Sequence, residues 1–196
     1  MPNYHVVLGG AAVVFGIAGQ ALYLKDILQD SIKPHPFSWL GWALLDVVIF
    51  SAQITSGGGP GSWVTGVSAL VNTIIALLSL KRGEKRITWS DWTCFIGAIL
   101  GIVLWKLTAD PIGAVIVVSA VNFVAFIPTF RKAYLRPNEE SLNIFSFDIV
   151  KFILGIAALG VLSPTTALFP ATAMVSNVMF ISMVILRRRK LSTVAR

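Results

Sequence analysis

Seven long apolar stretches are the feature that most constrains how this chain can fold. They cover residues 6–23, 37–54, 63–80, 89–106, 112–130, 144–162 and 166–186. A helix needs roughly 20 mostly apolar residues to cross the hydrocarbon core of a bilayer, where each backbone polar group has to be bonded within the segment. Little chain remains outside these stretches for a soluble domain. The sequence therefore predicts an all-α integral membrane protein with seven transmembrane helices.

Basic residues on the flanks of these stretches predict the orientation of the chain. From the N-terminus to the C-terminus, the eight flanks hold none, two, none, four, one, three, none and five Lys or Arg residues. Cytoplasmic flanks carry the basic excess in membrane proteins. We therefore expect an N-terminus outside and a C-terminus in the cytoplasm, in a bacterial inner membrane or a plasma membrane. Residues 1–5 contain no Lys or Arg, so the first stretch is expected to be retained rather than cleaved.

Composition argues against several other classes of protein. Cys94 is the single cysteine, and His5 and His35 both lie outside the apolar stretches, so no metal or cofactor site is expected. No motif of a soluble enzyme is present, and catalysis is not expected. The basic residues follow the membrane flanks, which makes nucleic-acid binding a poor explanation of the positive charge. The basic run at 187–190 is interpreted as a topology anchor, with anionic-lipid docking as the alternative.

Polar residues inside the stretches recur in the same order and indicate an internal repeat. Asp46 and Asn72 lie in the second and third stretches, and Asp148 and Asn177 lie at corresponding places in the sixth and seventh. One stretch separates the two sets, so both would have the same orientation, related by a pseudo-twofold axis along the membrane normal. The predicted units are a first three-helix repeat, a linker helix and a second three-helix repeat with a basic tail, at residues 1–83, 84–110 and 111–196.

The matched residues are the candidate site. Asn72 and Asn177 lie about ten residues from the ends of their stretches, near the membrane midplane on a rise of about 1.5 Å per residue, and they could face each other across a central cavity. Either Asn could instead bond a neighbouring helix. Asp46 and Asp148 are candidates for proton coupling, although Lys151 is three residues from Asp148 and could neutralise it by structural pairing.

Further residues predict gating and helix contacts. Near the end of the first stretch Gln20 corresponds weakly to Thr129 of the fifth, and the preceding Pro128 predicts a kink or hinge. Gly97 and Gly101 form a GxxxG pattern that could seat the linker helix or a second protomer in a homo-oligomer. The glycine run at 57–59 is interpreted as a flexible turn. All six tryptophans lie near the ends of stretches, which favours an interfacial belt for most of them.

Two three-helix units, a linker helix and an Asn in the third helix of each unit resemble the SWEET sugar transporters and the wider PQ-loop family over nearly the whole chain. Half of the family's Pro-Gln signature appears in each unit, as Gly19-Gln20 and as Pro128-Thr129. By position, Asn72 and Asn177 match the solute-binding asparagines of SWEETs. The run that ends in Leu44-Leu45-Asp46 resembles the cystine-transporting branch, in which such an Asp is linked to proton coupling.

These observations predict a membrane transporter for a small polar solute, sugar-like or similar. It would work by alternating access around a midplane site at Asn72 and Asn177, with gating near Gln20, Asp46, Pro128 and Asp148. One alternative is a proton-coupled transporter of amino acids or amines. A second alternative is a non-transporting receptor built on the same helices. The expected partners are the solute, the lipid bilayer and, in the coupled alternative, protons.

Overall fold

The part of the chain that the structure describes is all-helical, and several of its helices have the length and composition of membrane spans. The structure is a computed structural model, and it describes residues 4–89, 91–92, 95–96, 99, 103, 107 and 111–194. Two short 3-10 turns, Gly59–Ser62 and Pro137–Glu139, connect longer elements. Those elements are six helices, α1 (Tyr4–Leu28), α2 (Pro36–Thr55), α3 (Trp63–Arg82), α4 (Pro111–Leu135), α5 (Asn143–Ala157) and α6 (Pro164–Val194).

Five of these helices are long and apolar enough to cross a membrane, namely α1 to α4 and α6. Helices α1 to α3 match the first three predicted stretches, and α4 to α6 match the fifth to the seventh. The fourth stretch lies largely outside the described residues. Helix α6 continues beyond the predicted end, through the basic run, to Val194.

Helix α5 is shorter than the sequence predicts. The sixth apolar stretch extends to residue 162, but the helix has 15 residues and ends at Ala157. The chain turns there, and the Gly160 N–H bonds the Gly58 carbonyl oxygen of another loop at 3.2 Å instead of continuing the helix. A tertiary backbone contact of this kind leaves no signature in hydropathy.

The helices pack in two similar groups. Helix α3 packs against both α1 and α2, and α6 packs against both α4 and α5. Between the groups, α1 packs on α5 and α2 on α4, with smaller contacts of α2 with α6 and of α3 with α5. If α1, α2 and α3 are exchanged for α4, α5 and α6, respectively, each packed pair of helices becomes another of the packed pairs given above.

Glycine-rich segments close one end of the bundle, which we call the glycine end. The loop between α2 and α3 lies against the turn after α5 and against the start of α1. A β-carbon on Gly9 would lie 2.6 Å from the Pro60 carbonyl oxygen, and one on Gly61 would lie 2.7 Å from that of Gly155. Gly57 has a φ of +78°, a conformation that L side chains rarely adopt. The run is therefore a packed contact rather than the flexible turn that its composition predicts.

Ion pairs close the opposite end, which we call the basic end. Glu140 is 2% exposed; its carboxylate pairs with the Lys132 Nζ at 2.9 Å and accepts a hydrogen bond from the Tyr23 hydroxyl at 3.1 Å. Arg188 donates to the Glu140 backbone carbonyl at 2.6 Å, so this one residue connects α1, α4 and α6. Arg136 pairs with the buried Glu84 close to the same place.

His35 lies fully buried at the basic end, next to the start of α2. Its Nε2 atom is 3.5 Å from the Oδ2 atom of Asp91, which also pairs with the Arg131 guanidinium at 2.8 Å. Burial lowers the pKa of His35 from 6.5 to about 4; Asp91 raises it and Arg131 lowers it further, each by less than burial does. His35 is therefore neutral at pH 7.

We expect Gly61→Ala to lower the melting temperature of the detergent-purified protein by several degrees. The added methyl group would overlap backbone atoms that cannot turn aside, and overpacking of this kind costs about 1–3 kcal/mol, with each kcal/mol shifting a chain of this size by about 2–4 °C. Gly10→Ala is the matched control, because nothing lies within 4 Å of a β-carbon there. Equal melting temperatures for the two variants would contradict the packing described for Gly61.

We expect the melting temperature to fall as the pH falls from 6.5 to about 4, in part through His35. The unfolded chain takes up a proton on this side chain near pH 6.5, whereas the folded protein does so only near pH 4. The stability that depends on neutral His35 is thus complete above pH 6.5 and is lost below it. His35→Gln should flatten the curve over this range. An unchanged slope in the His35→Gln protein would contradict this prediction.

Candidate functional site

A small cavity of about 40 Å³ lies between the two groups of helices. One water needs roughly 10–15 Å³ of such space, so the cavity has room for only about two or three waters. All of the predicted polar pairs reach it. Its polar lining consists of Asp46, Asn72, Asn122, Asp148, Lys151 and Asn177.

A chain of hydrogen bonds joins three helices on one side of the cavity. Gln20 Nε2 of α1 donates to Asn72 Oδ1 of α3 at 3.2 Å. Asn72 Nδ2 then donates to Asp46 Oδ2 of α2 at 2.7 Å. All three side chains are at least nine-tenths buried. The sequence predicts solute binding by Asn72 and gating or coupling by Gln20 and Asp46. The structure brings the three side chains together, and Gln20 reaches the cavity only through Asn72.

Lys151 joins the other side of the cavity to the first group of helices. Its Nζ atom lies 2.7 Å from Asp148 Oδ1, the i, i+3 ion pair that the spacing predicts, and it donates to Ser68 Oγ of α3 at 3.1 Å. Only 2% of Lys151 is exposed. A β-carbon on Gly16 of α1 would lie 3.3 Å from the Lys151 Cδ atom, so the side chain passes closely beside α1.

Asn177 differs from its counterpart Asn72. It is 2% exposed, and its Oδ1 atom has no hydrogen-bond partner among the described residues. Thr129 of α4 corresponds weakly to Gln20. Its hydroxyl group is also buried and has no hydrogen-bond partner among the described residues. Orphaned polar atoms of this kind are uncommon in proteins and call for an explanation such as contact with a water, an ion or a ligand.

The two units therefore present unlike chemistry to one cavity. On the side of Asn72 the amide and the carboxylate already bond each other. On the side of Asn177 the amide oxygen has no partner among the described residues, and Asp148 pairs with Lys151. The sequence predicts the matched pairs, but it gives no sign that the residues of the two units have different hydrogen-bond and ion-pair partners.

Aromatic rings form most of the remaining wall. They are Trp39, Trp42, Phe126, Phe145, Phe152 and Phe169. Trp39 is 3% exposed and Trp42 is 8% exposed, and the two rings meet edge to face at 5.0 Å between centroids. Trp39 and Trp42 are therefore exceptions to the interfacial belt that the sequence predicts for most of the tryptophans. Their spacing of three residues, which places both on one helix face, was the available signal.

The other predicted residues lie farther from the cavity or outside the described part of the chain. Pro128 is buried within α4, which runs through it as one helix. Gly97 and Gly101 lie outside the described residues, as does Cys94. Among the described residues no group of three or more His, Cys, Asp and Glu side chains could hold a metal ion.

Comparison with known proteins adds no relative to these observations. No model of a known protein family, no curated protein and no solved structure matches this chain. The resemblance to the SWEET and PQ-loop families thus stays a prediction from the sequence. The cavity and its side chains are the basis on which function is inferred.

Proposed function

We propose that this protein is a transporter that moves a small polar solute across a membrane by alternating access. The observation that supports this most is the cavity between the two helix groups, into which the ionisable Asp46, Asp148 and Lys151 converge. An ionisable side chain at the centre of a membrane helix costs roughly 2.5–3.5 kcal/mol on insertion scales. Such residues mark solute or ion pathways in membrane proteins.

The packing of the helices supports two equivalent units that rock against each other. Each contact within or between the groups has a counterpart after the units are exchanged. Transporters built from parallel repeats hold their solute at the repeat interface. We propose a 3 + 1 + 3 arrangement, with the fourth stretch as the linker helix, the basic end in the cytoplasm and the N-terminus outside.

Contacts at both ends of the bundle support a working cycle of this kind. Backbone atoms pack together at the glycine end, and ion pairs join the helices at the basic end. In alternating access, one of these ends opens to admit the solute while the other stays shut. Asn72 and Asn177 then contact the solute, and Gln20, Pro128 and the carboxylates respond to its presence.

Uptake into liposomes tests the proposal directly. Purified protein would be reconstituted and offered a panel of radiolabelled sugars, amino acids, amines and nucleosides, with and without a pH gradient. We expect saturable uptake of at least one member, above that of protein-free liposomes. If no member moves while a panel compound still shifts the melting temperature, the receptor alternative is favoured over transport.

We expect Asn177→Leu to abolish uptake with little loss of thermal stability. The Asn177 amide oxygen has no partner to lose, and an apolar residue of similar size removes a buried polar group at low cost. Asn72→Leu is the informative comparison, because it breaks two hydrogen bonds and should lower both uptake and melting temperature. A large loss of stability in Asn177→Leu with uptake retained would argue against its role in solute binding.

The position of Asp46 favours proton coupling as a second form of the proposal. Its carboxylate lies in the cavity, and no Lys or Arg lies on its own helix. We expect Asp46→Asn to remove the dependence of uptake on the pH gradient. Unchanged dependence would exclude Asp46 as the coupling group and leave the transport proposal intact.

A further inference from the structure

The charges that line the cavity do not balance. Asp46 and Asp148 contribute two negative charges when ionised, and Lys151 contributes one positive charge. Lys151 already pairs with Asp148 at 2.7 Å. The Asp46 carboxylate receives one hydrogen bond, from the neutral Asn72. A buried charge without a counter-charge is costly, so the cavity favours a ligand that supplies a single positive charge beside Asp46.

No other charged group among the described residues faces Asp46. Helix α5 presents Asp148 and Lys151, which are the charges that act on it. Helices α3, α4 and α6 contribute the uncharged amides of Asn72, Asn122 and Asn177 to the cavity. The missing positive charge must therefore come from a proton or from the solute itself.

The six rings of the lining suit an organic cation rather than a metal ion. The face of an aromatic ring attracts an ammonium group, most strongly for Trp, and desolvation strengthens this attraction. The cavity already contains one such contact, because the Lys151 Nζ atom lies 4.9 Å from the centroid of the Phe152 ring. Trp39 and Trp42 lie on the same helix as Asp46, at its N-terminal side.

The unpartnered polar atoms add a requirement for hydrogen bonds. Asn177 Oδ1 is an acceptor that would bond an N–H or O–H group of the ligand. The indole N–H group of Trp42 is also buried and has no partner among the described residues, and it would donate to an oxygen atom of the same ligand. A small ammonium compound that also bears a hydroxyl or carbonyl oxygen would bond both the Asn177 acceptor and the indole donor.

We propose that the solute of this cavity is a small organic ammonium cation, bound by the Asp46 carboxylate and the ring faces of Trp39 and Trp42. This proposal rests on the transport function proposed above and names its substrate class. Since the cation and a proton neutralise the same carboxylate, they compete for it. Binding of the cation to protonated Asp46 releases that proton, and no other covalent or redox change takes place.

Calorimetry on the purified full chain tests the substrate class without relying on transport. The probes are ethanolamine, tetramethylammonium and the neutral ethylene glycol. We expect ethanolamine to bind at least about tenfold more tightly than ethylene glycol, and tetramethylammonium, which has no N–H group, to bind through the rings and the carboxylate alone. Ethanolamine affinity should fall as the pH is lowered, because protons compete with it at Asp46.

Three variants separate this site from general effects on folding. Asp46→Asn should weaken ethanolamine binding at least about tenfold and remove its pH dependence, whereas Asp46→Glu should retain both in part. Asp30→Asn is the matched control, since Asp30 is an exposed carboxylate that pairs with Arg82 outside the cavity. The Asp30→Asn protein should bind ethanolamine with the same affinity as the unmodified protein.

The outcomes distinguish the two proposals. Equal binding of ethanolamine and ethylene glycol, or unchanged ethanolamine binding in a folded Asp46→Asn protein, overturns the cation proposal. If liposomes then still take up a neutral sugar, the transport proposal stands without it. If no compound of the panel binds or moves, both proposals fail.

Discussion

Buried charge in the middle of an apolar bundle is the constraint on which the rest of this structure depends. Asp46 and Lys151 are almost fully buried, so the protein itself must provide their polar partners. Lys151 meets this demand by contacts to both helix groups, through Asp148 of its own helix and Ser68 of α3. Removing Lys151 would leave a buried carboxylate unpaired, and the interface between the groups would lose one of its polar links.

The two helix groups are alike as scaffolds and unlike as binding surfaces. Equivalent helices pack in equivalent pairs, yet the first group bonds its own Asn72 and Asp46 together and the second leaves Asn177 open. A site with exact twofold symmetry would present each binding side chain to the solute twice. The asymmetry gives the cavity one end with a net negative charge and one end with a neutral amide, which can orient a solute that is itself polar at two places.

Hydropathy and the matched residues predict most of the scaffold, because membrane helices are long and the polar residues within them are few. They predict the helix bounds closely for α1 to α3, the Lys151 pair, and the approach of Asn72 and Asn177 to one cavity. They do not predict the early end of α5, which depends on the tertiary bond from Gly160 to Gly58. They also do not single out Trp39 and Trp42 as buried, because a tryptophan near the end of a stretch has the same sequence signature at a lipid interface as in a buried wall.

The two closed ends differ in what opening would cost. At the glycine end, opening separates backbone and small side chains, so the main loss is van der Waals contact. At the basic end, opening would separate Glu140 from Lys132 and Tyr23. That separation is costly in a dry interior, but a charge that reaches water regains its solvation as the pair breaks. Water that enters an opened end can thus replace the contacts that are lost there, whereas Asp46 and Lys151 of the cavity are almost fully buried. Movement at the ends around an unbroken Lys151 pair is thus the least costly way for this bundle to open.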